Sequence, residues 1–225
     1  MNLTKLFDKQ KVLDDRIMKE HPYLIGQENL SWKVLALQVE LGECANEWRG
    51  FKKWSKNQQP KRCMHTTEGA TIENAVFFQC GDDDCGERFN KGDARLNDIF
   101  GKNEEDCPIC TEGYLYAFRE KNPLLEEYVD CLHFILSIGL EKGYHSMTHN
   151  LSATEGMKRN DVITQFNYLF DKVGDFSSIP NHNNYMYIIP LFFGLGEMLG
   201  FTWEQIEQAY IAKNEVNHKR QESGY

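Results

Sequence analysis

Apolar residues recur at helical spacing along most of the chain and give way to short aromatic runs in one interior stretch. Leu3, Leu6, Phe7, Leu13, Ile17 and Met18 share a face of a helix over 3–20, which Pro22 and Gly26 terminate. Trp32, Leu35, Leu37, Val39, Leu41, Ala45 and Trp48 predict a second, long and mostly buried helix over 28–48, ended by Gly50. The pattern returns at Asn122-Pro123, a cap followed by proline at the first helical position, and runs on through Leu125, Val129, Leu132, Phe134, Ile135 and Leu136. Three further helices are predicted: 160–173 capped by Asp161, 182–199 closed by Gly200, and 202–219 opening on a Thr202/Gln205 capping box. Residues 146–158 read as a loop.

After Pro60 the character changes. Val76-Phe77-Phe78 and Tyr114-Leu115-Tyr116 are β-prone, and Gly, Asp and Asn fill the sequence between them. The fold class is therefore all-α, with a helical core over 1–59 and 121–225 and a small β-rich module over 60–120. Within the module, four residues separate Cys80 from Cys85 and two separate Cys107 from Cys110. This is the ligand spacing of a zinc ribbon, in which four thiolates hold a structural Zn²⁺ and replace a core too small to stand alone. Two disulfides or four free thiols are the alternative. Four Cys ligands would leave the ion no open position, so the module is read as non-catalytic. Cys63 and His65 are then surplus and read as ordinary surface or packing residues, and Cys44 and Cys131 as core thiols.

Composition narrows the function classes. With 225 residues and 41% hydrophobic content the chain can build a sizeable core, and a net charge of −9 disfavours a large nucleic-acid or anionic-membrane footprint. Residues 60–118 carry twelve acidic and six basic side chains, which also opposes DNA binding there. Docking an unidentified protein partner, shaping a dimer or stiffening a loop remain open for the module. The N-terminal residues are charged and lack an apolar signal core. The most apolar stretch, 185–201, contains Pro190 and Glu197 and falls short of the roughly 20 residues a membrane span needs. A cytoplasmic protein with no membrane segment is expected, and an odd cysteine count of seven fits metal ligation or buried thiols better than disulfides.

The candidate chemistry lies in two acidic pairs. Glu40 and Glu43 are three apart on the second helix, and Glu127 and Asp130 repeat that spacing on the third. Residues at i and i+3 are helix neighbours, so two such helices packed face to face converge four carboxylates, a donor set suited to Mg²⁺ and to phosphate-bearing ligands.

Four segments resemble the dimeric all-α dUTPases, within the all-α NTP pyrophosphatase group that includes MazG-like enzymes. They are 7–17, from Phe7-Asp8-Lys9-Gln10 to Leu13-Asp14-Asp15-Arg16-Ile17; 40–54, from Glu40-Leu41-Gly42-Glu43 to Phe51-Lys52-Lys53-Trp54; Glu127-Tyr128-Val129-Asp130 with His133-Phe134; and 210–225, ending Gly224-Tyr225. The acidic pairs stand farther apart than in that family, and removing 60–120 restores family-like spacing. The resemblance implies a homodimer that hydrolyses dUTP, and dUDP, to dUMP, with two or more Mg²⁺ held by Glu40, Glu43, Glu127 and Asp130. Glu43, with Glu40, takes the catalytic part, Glu43 by analogy as general base. Lys53, Lys213 and Arg220 would contact phosphate, Gln10 and Asn217 the base or sugar, and Trp54, His133 and Tyr225 would complete the substrate site. A sister enzyme acting on dCTP or on several dNTPs is the nearest alternative; a non-catalytic regulatory protein docking through the zinc insert is the other.

Overall fold

The computed structural model describes residues 3–96, 106–146 and 156–224. Among them the helices expected from the periodicity all form: α1 (Leu3–Glu20), followed by a short 3₁₀ turn at Pro22–Leu24, α2 (Leu30–Trp48), α3 (Pro123–Glu141), α4 (Val162–Ser178), α5 (His182–Met198) and α6 (Trp203–Glu222). Asp161 caps α4 by accepting from the Thr164 amide, and Thr202 and Gln205 exchange both capping-box hydrogen bonds at the start of α6. Most of the expected loop 146–158 lies outside the described residues.

Two elements depart from the sequence expectation. The helix α4 continues past residue 173 because Phe176, fully buried, extends the stripe of Phe166, Leu169 and Val173 into the core. On α2 only one face is buried, with Val34, Leu37, Leu41 and Cys44 in the core, whereas Leu35 and Val39 are 62% and 50% exposed and Trp32 is partly exposed. Apolar residues covering more than half of a helix circumference cannot all face a single core, and periodicity alone does not identify the surplus face.

The chain divides into two compact units, one of Met1–Lys61 with Leu124–Tyr225 and one of Arg62–Pro123. The core of the first is a continuous apolar cluster contributed by all six helices, with Leu6, Leu41, Tyr128, Leu132, Leu169, Phe192 and Tyr210 fully buried. Its two chain segments meet where the second unit interrupts them: the Leu124 amide donates to the Lys61 carbonyl at 3.1 Å, and Lys61 also pairs with Glu47 at 2.9 Å. Pro190 lies inside α5, and two carbonyls at this point are used elsewhere, that of Pro190 accepting from the Met157 amide and that of Leu191 from the Gln165 side chain.

The second unit is an antiparallel four-stranded sheet in the order β1-β4-β2-β3, with β1 at Met64–Thr66, β2 at Phe77–Cys80, β3 at Arg88–Asn90 and β4 at Leu115–Lys121. A small cluster of Ala75, Phe78, Phe89, Leu96 and Leu115 fills one side. On Phe77 the pleat turns the ring to the other face, where it stacks on Phe118 at 4.7 Å and lies under the Arg88 guanidinium.

Close helix packing in the first unit depends on small residues. A Cβ added at Gly139 of α3 would lie 2.2 Å from the Tyr185 hydroxyl and 3.0 Å from Phe7, and Tyr185 is held by its hydrogen bond to the Ile135 carbonyl. Gly139→Ala should therefore destabilise the fold by about 1–3 kcal/mol, since a buried, hydrogen-bonded ring has nowhere to move. Equilibrium denaturant unfolding reads this, and a wild-type midpoint would refute the packing argument.

Candidate active site

The cores of α2 and α3 bring Cys44 and Cys131 together, both thiols fully buried. The acidic residues beside them converge: one carboxylate oxygen from each of Glu40, Glu127 and Asp130 lies within 4.8 Å of the others. Glu43, one turn along α2, is exposed and stands outside that triplet, although its charge acts on both Glu40 and Glu127. Partial burial, followed by repulsion from Asp130 and Glu43, pushes Glu40 up to about 7. The same causes push Glu127 up to about 7. Such a cluster is costly as bare anions and is relieved by a cation. Three converging oxygens of this kind fit a hard divalent ion such as Mg²⁺.

Asp130 also meets Lys213 of α6 at 2.6 Å, and Lys213 meets Glu126 at 3.0 Å. Burial raises the Asp130 pKa against the lowering effects of Lys213 and Arg220. For Lys213 burial acts downward, but the two carboxylates outweigh it and the ammonium is held more firmly than usual. Lys213 therefore places a positive charge at the edge of the acidic cluster.

A cavity of about 460 Å³ adjoins the carboxylates. Glu40 and Asp130 lie on its wall, and Gln10, His133, Asn217 and Arg220 line it from α1, α3 and α6. Behind the wall runs a buried polar network. The Gln10 carbonyl oxygen accepts from the Tyr210 hydroxyl at 2.7 Å and lies 2.8 Å from His133 Nδ1, while the Gln10 amide donates to Asp14 at 2.7 Å. Ser137 donates to the other Asp14 oxygen at 2.7 Å. Because a carboxylate accepts, Asp14 fixes which end of the Gln10 amide faces it, and that orientation makes His133 Nδ1 the donor to Gln10. The His133 ring stacks on Tyr210 at 4.1 Å. Burial, then the Lys213 charge, pulls its pKa down to about 3, so the imidazole is neutral near pH 7.

The expected site residues thus separate into two groups. Gln10, Glu40, Glu127, Asp130, His133, Lys213, Asn217 and Arg220 come together at or around the cavity and its acidic wall. Lys53 and Trp54 are exposed and do not line it, Trp54 being 78% exposed with its ring edge-on to Phe51. Tyr225 lies outside the described residues. Sequence reasoning missed Asp14, Lys33 and Ser137, which line the same cavity. The signal for Asp14 was present: it stands one helical turn from Gln10 and interrupts the apolar stripe of Leu13 and Ile17.

In the second unit the four cysteine sulfurs of Cys80, Cys85, Cys107 and Cys110 converge within 4.8 Å, with Cys80 and Cys110 3.7 Å apart and Cys85 and Cys107 3.8 Å apart. A tetrahedral ion with Zn–S bonds of ~2.3 Å needs sulfur separations of ~3.8 Å, so the cluster could hold Zn²⁺ with little adjustment. All four are free thiols. Backbone amides point at the sulfurs as around a thiolate, Asp82 to Cys80 and Gly113 to Cys110, and such donors bring the Cys110 thiol down to about 7. Gly113 is required here: a Cβ would lie 2.4 Å from the Cys80 sulfur.

No curated protein matches the chain. A family model described as dUTPase matches residues 2–69 and 117–225, more than half of the sequence, and passes over most of the cysteine-bearing unit. Those matched residues include the acidic pairs on α2 and α3 and the α6 residues that line the cavity, and the chain belongs to the dUTPase family, whose activity is the hydrolysis of dUTP.

Proposed function

We propose that the protein is a Mg²⁺-dependent dUTP pyrophosphohydrolase that also accepts dUDP. Water attacks the α-phosphorus; dUTP then yields dUMP and pyrophosphate, and dUDP yields dUMP and phosphate. The observation that carries this reading is the convergence of Glu40, Glu127 and Asp130, two of which, Glu40 and Asp130, line a cavity large enough for a nucleotide. Two or more Mg²⁺ bound by these carboxylates would neutralise phosphate charge and make the attacking water more acidic. Lys213 and Arg220 face the same region and supply positive charge for phosphate oxygens. Gln10 has its carbonyl oxygen occupied by Tyr210 and His133, so it serves chiefly to orient the cavity wall, and Asn217 offers the free amide that a uracil edge can pair with.

A homodimer is part of the proposal, supported by the exposed Trp32, Leu35 and Val39 along α2; a monomeric sedimentation profile would count against it. Cytoplasmic location is supported by seven free cysteines, and among the described residues no single helix is long and apolar enough to cross a membrane. The cysteine-bearing unit, 60–120 by sequence and Arg62–Pro123 by compactness, is proposed to be an inserted module built around structural Zn²⁺. Its excess of acidic side chains supports a role in docking a protein partner rather than nucleic acid.

The reading is tested by measuring pyrophosphate and phosphate released from dUTP, dUDP and dCTP with and without Mg²⁺. Pyrophosphate from dUTP only with Mg²⁺ is expected; preference for dCTP would move the chain to a sister activity, and no release from any nucleotide would favour a regulatory role. Glu43, exposed and outside the carboxylate triplet, is the candidate to take the proton from the attacking water. Glu43→Gln should lower kcat by about 100- to 10,000-fold with fold and Mg²⁺ binding retained, and near-wild-type turnover would remove Glu43 from that role.

The carboxylate cluster also predicts a pH dependence. The folded-state pKa values of Glu40 and Glu127, near 7, exceed the ordinary value of 4.5, so the folded metal-free protein favours their protonated forms. The stabilising contribution is complete below the ordinary value and is lost as pH rises through 7. In EDTA, Glu127→Gln should gain thermal stability relative to wild type as pH is raised from about 5 to about 8, and saturating Mg²⁺ should reverse the order at the upper pH. A difference between the two proteins that does not vary with pH would show that the cluster is not strained.

A further inference from the structure

Cys63 and His65 flank Met64 at the start of β1, and residues two apart on an extended strand project from the same face. Antiparallel pairing of β1 with β4 sets Glu120 directly opposite His65. As a result one sulfur, one ring nitrogen and one carboxylate oxygen lie within 4.8 Å of one another. We propose that Cys63, His65 and Glu120 form a second Zn²⁺ site, distinct in its residues from the four-cysteine cluster, with water in the fourth position.

The chemistry of the donors favours a borderline ion. A thiolate excludes Mg²⁺ and Ca²⁺, which take oxygen, while imidazole and carboxylate complete a set that Zn²⁺ accepts. Thiolate and carboxylate together cancel the ion's charge, so the site does not add to the burden of an acidic chain. Bonds of ~2.0–2.3 Å place ligand atoms ~3.3–3.8 Å apart, a contraction that rotamers of three exposed side chains can supply without moving the strands. The ring of His65 is already braced edge-on against Phe77, at 5.1 Å and 70°. In the metal-free state the Cys63 thiol keeps its proton beside the Glu120 carboxylate. Binding displaces that proton to solvent as the sulfur–metal bond forms.

The location gives the site a consequence. Cys63 and Glu120 lie near opposite ends of the unit Arg62–Pro123, joined otherwise by the three-residue β1–β4 pairing, so an ion held by both clasps the base of the module. A cross-link between residues far apart in sequence acts mainly by reducing the freedom of the open chain.

The test compares wild type, His65→Ala, Cys63→Ser and Glu120→Gln, each loaded with Zn²⁺, dialysed against metal-free buffer and measured for zinc per chain by plasma mass spectrometry. Because only the difference from wild type is read, the result does not depend on how much zinc the four-cysteine cluster holds. His65→Ala and Cys63→Ser should each carry about one equivalent less than wild type, with unchanged far-ultraviolet circular dichroism. Co²⁺ titration supplies a second readout that tolerates weaker binding: the wild-type absorption should contain a component lost from both of these variants. Equal zinc content and superimposable Co²⁺ titrations would overturn the assignment, leaving the three residues as a hydrogen-bonded surface cluster. If Glu120→Gln alone retains full zinc, the carboxylate is not a ligand and the three-donor site fails as stated.

Discussion

Three carboxylates within 4.8 Å of one another, half withdrawn from water and carrying pKa values raised toward neutrality, form an arrangement that no isolated pair of helices would adopt. Like charges repel, and partial burial strengthens the repulsion. The apolar seam of α2 and α3 has to hold them there. Leu37, Leu41 and Cys44 on one helix and Leu124, Tyr128, Cys131 and Leu132 on the other are buried almost completely, and their burial is worth far more than the local strain. The site is thus a polar patch that a core forces into existence, and its unfavourable electrostatics make it receptive to cations. Lys213 supplies part of the relief in the metal-free protein, through Asp130, which leaves Glu40 and Glu127 as the carboxylates with the most to gain from an ion.

The wall of the cavity obeys the opposite rule. Gln10, His133 and Tyr210 are buried and hydrogen-bonded to one another through Gln10, which Asp14 and Ser137 hold in turn, so this polar region is satisfied from within except at His133 Nε2, which is buried without a partner. A satisfied network resists rearrangement, because any member that moves leaves a buried group unpaired at a cost of about 1–3 kcal/mol. It gives the cavity a fixed shape on the side away from the carboxylates. The neutral His133 belongs to this framework, with its one N–H directed at Gln10.

How much of this the sequence disclosed follows from what periodicity encodes. An i, i+3 pair of acids states its own face, so Glu40, Glu43, Glu127 and Asp130 were readable before any packing was known, and so were caps such as Asp161 and Thr202, whose partners lie within the same turn. Partnerships between helices carry no such mark. That Gln10 meets His133 and Tyr210, or that Ser137 meets Asp14, depends on how α1, α3 and α6 cross, and nothing local records it. The same limit explains α2, where Leu35 and Val39 looked like core by composition and face outward in the folded chain. It also explains Trp54, whose type suggests burial or stacking but whose position after a helix end leaves it 78% exposed. The motif resemblance went further than periodicity because it carries information about contacts between distant segments.

The interruption between the acidic pairs would be expected to disturb the site, since the linker between α2 and α3 helps to set their register. The structure meets that difficulty with backbone geometry. Lys61 and Leu124 are joined by a hydrogen bond, so within the first unit the chain leaves and returns at nearly one point, and Lys61 is further fixed by its ion pair with Glu47 of α2. Closing a longer loop between two ends already held together adds little entropic cost, about 0.6 kcal/mol for each doubling of length. On the other side of that junction the second unit brings its own ends together by pairing β1 with β4. With only a handful of buried apolar residues it cannot rely on a core of ordinary size, and its cysteines, placed at tetrahedral separations and lined by backbone amides, offer the compensation that small folds commonly need. Within the first unit, then, the chain between α2 and α3 is closed at one point, which is the physical condition for carrying additional residues between the two acidic pairs.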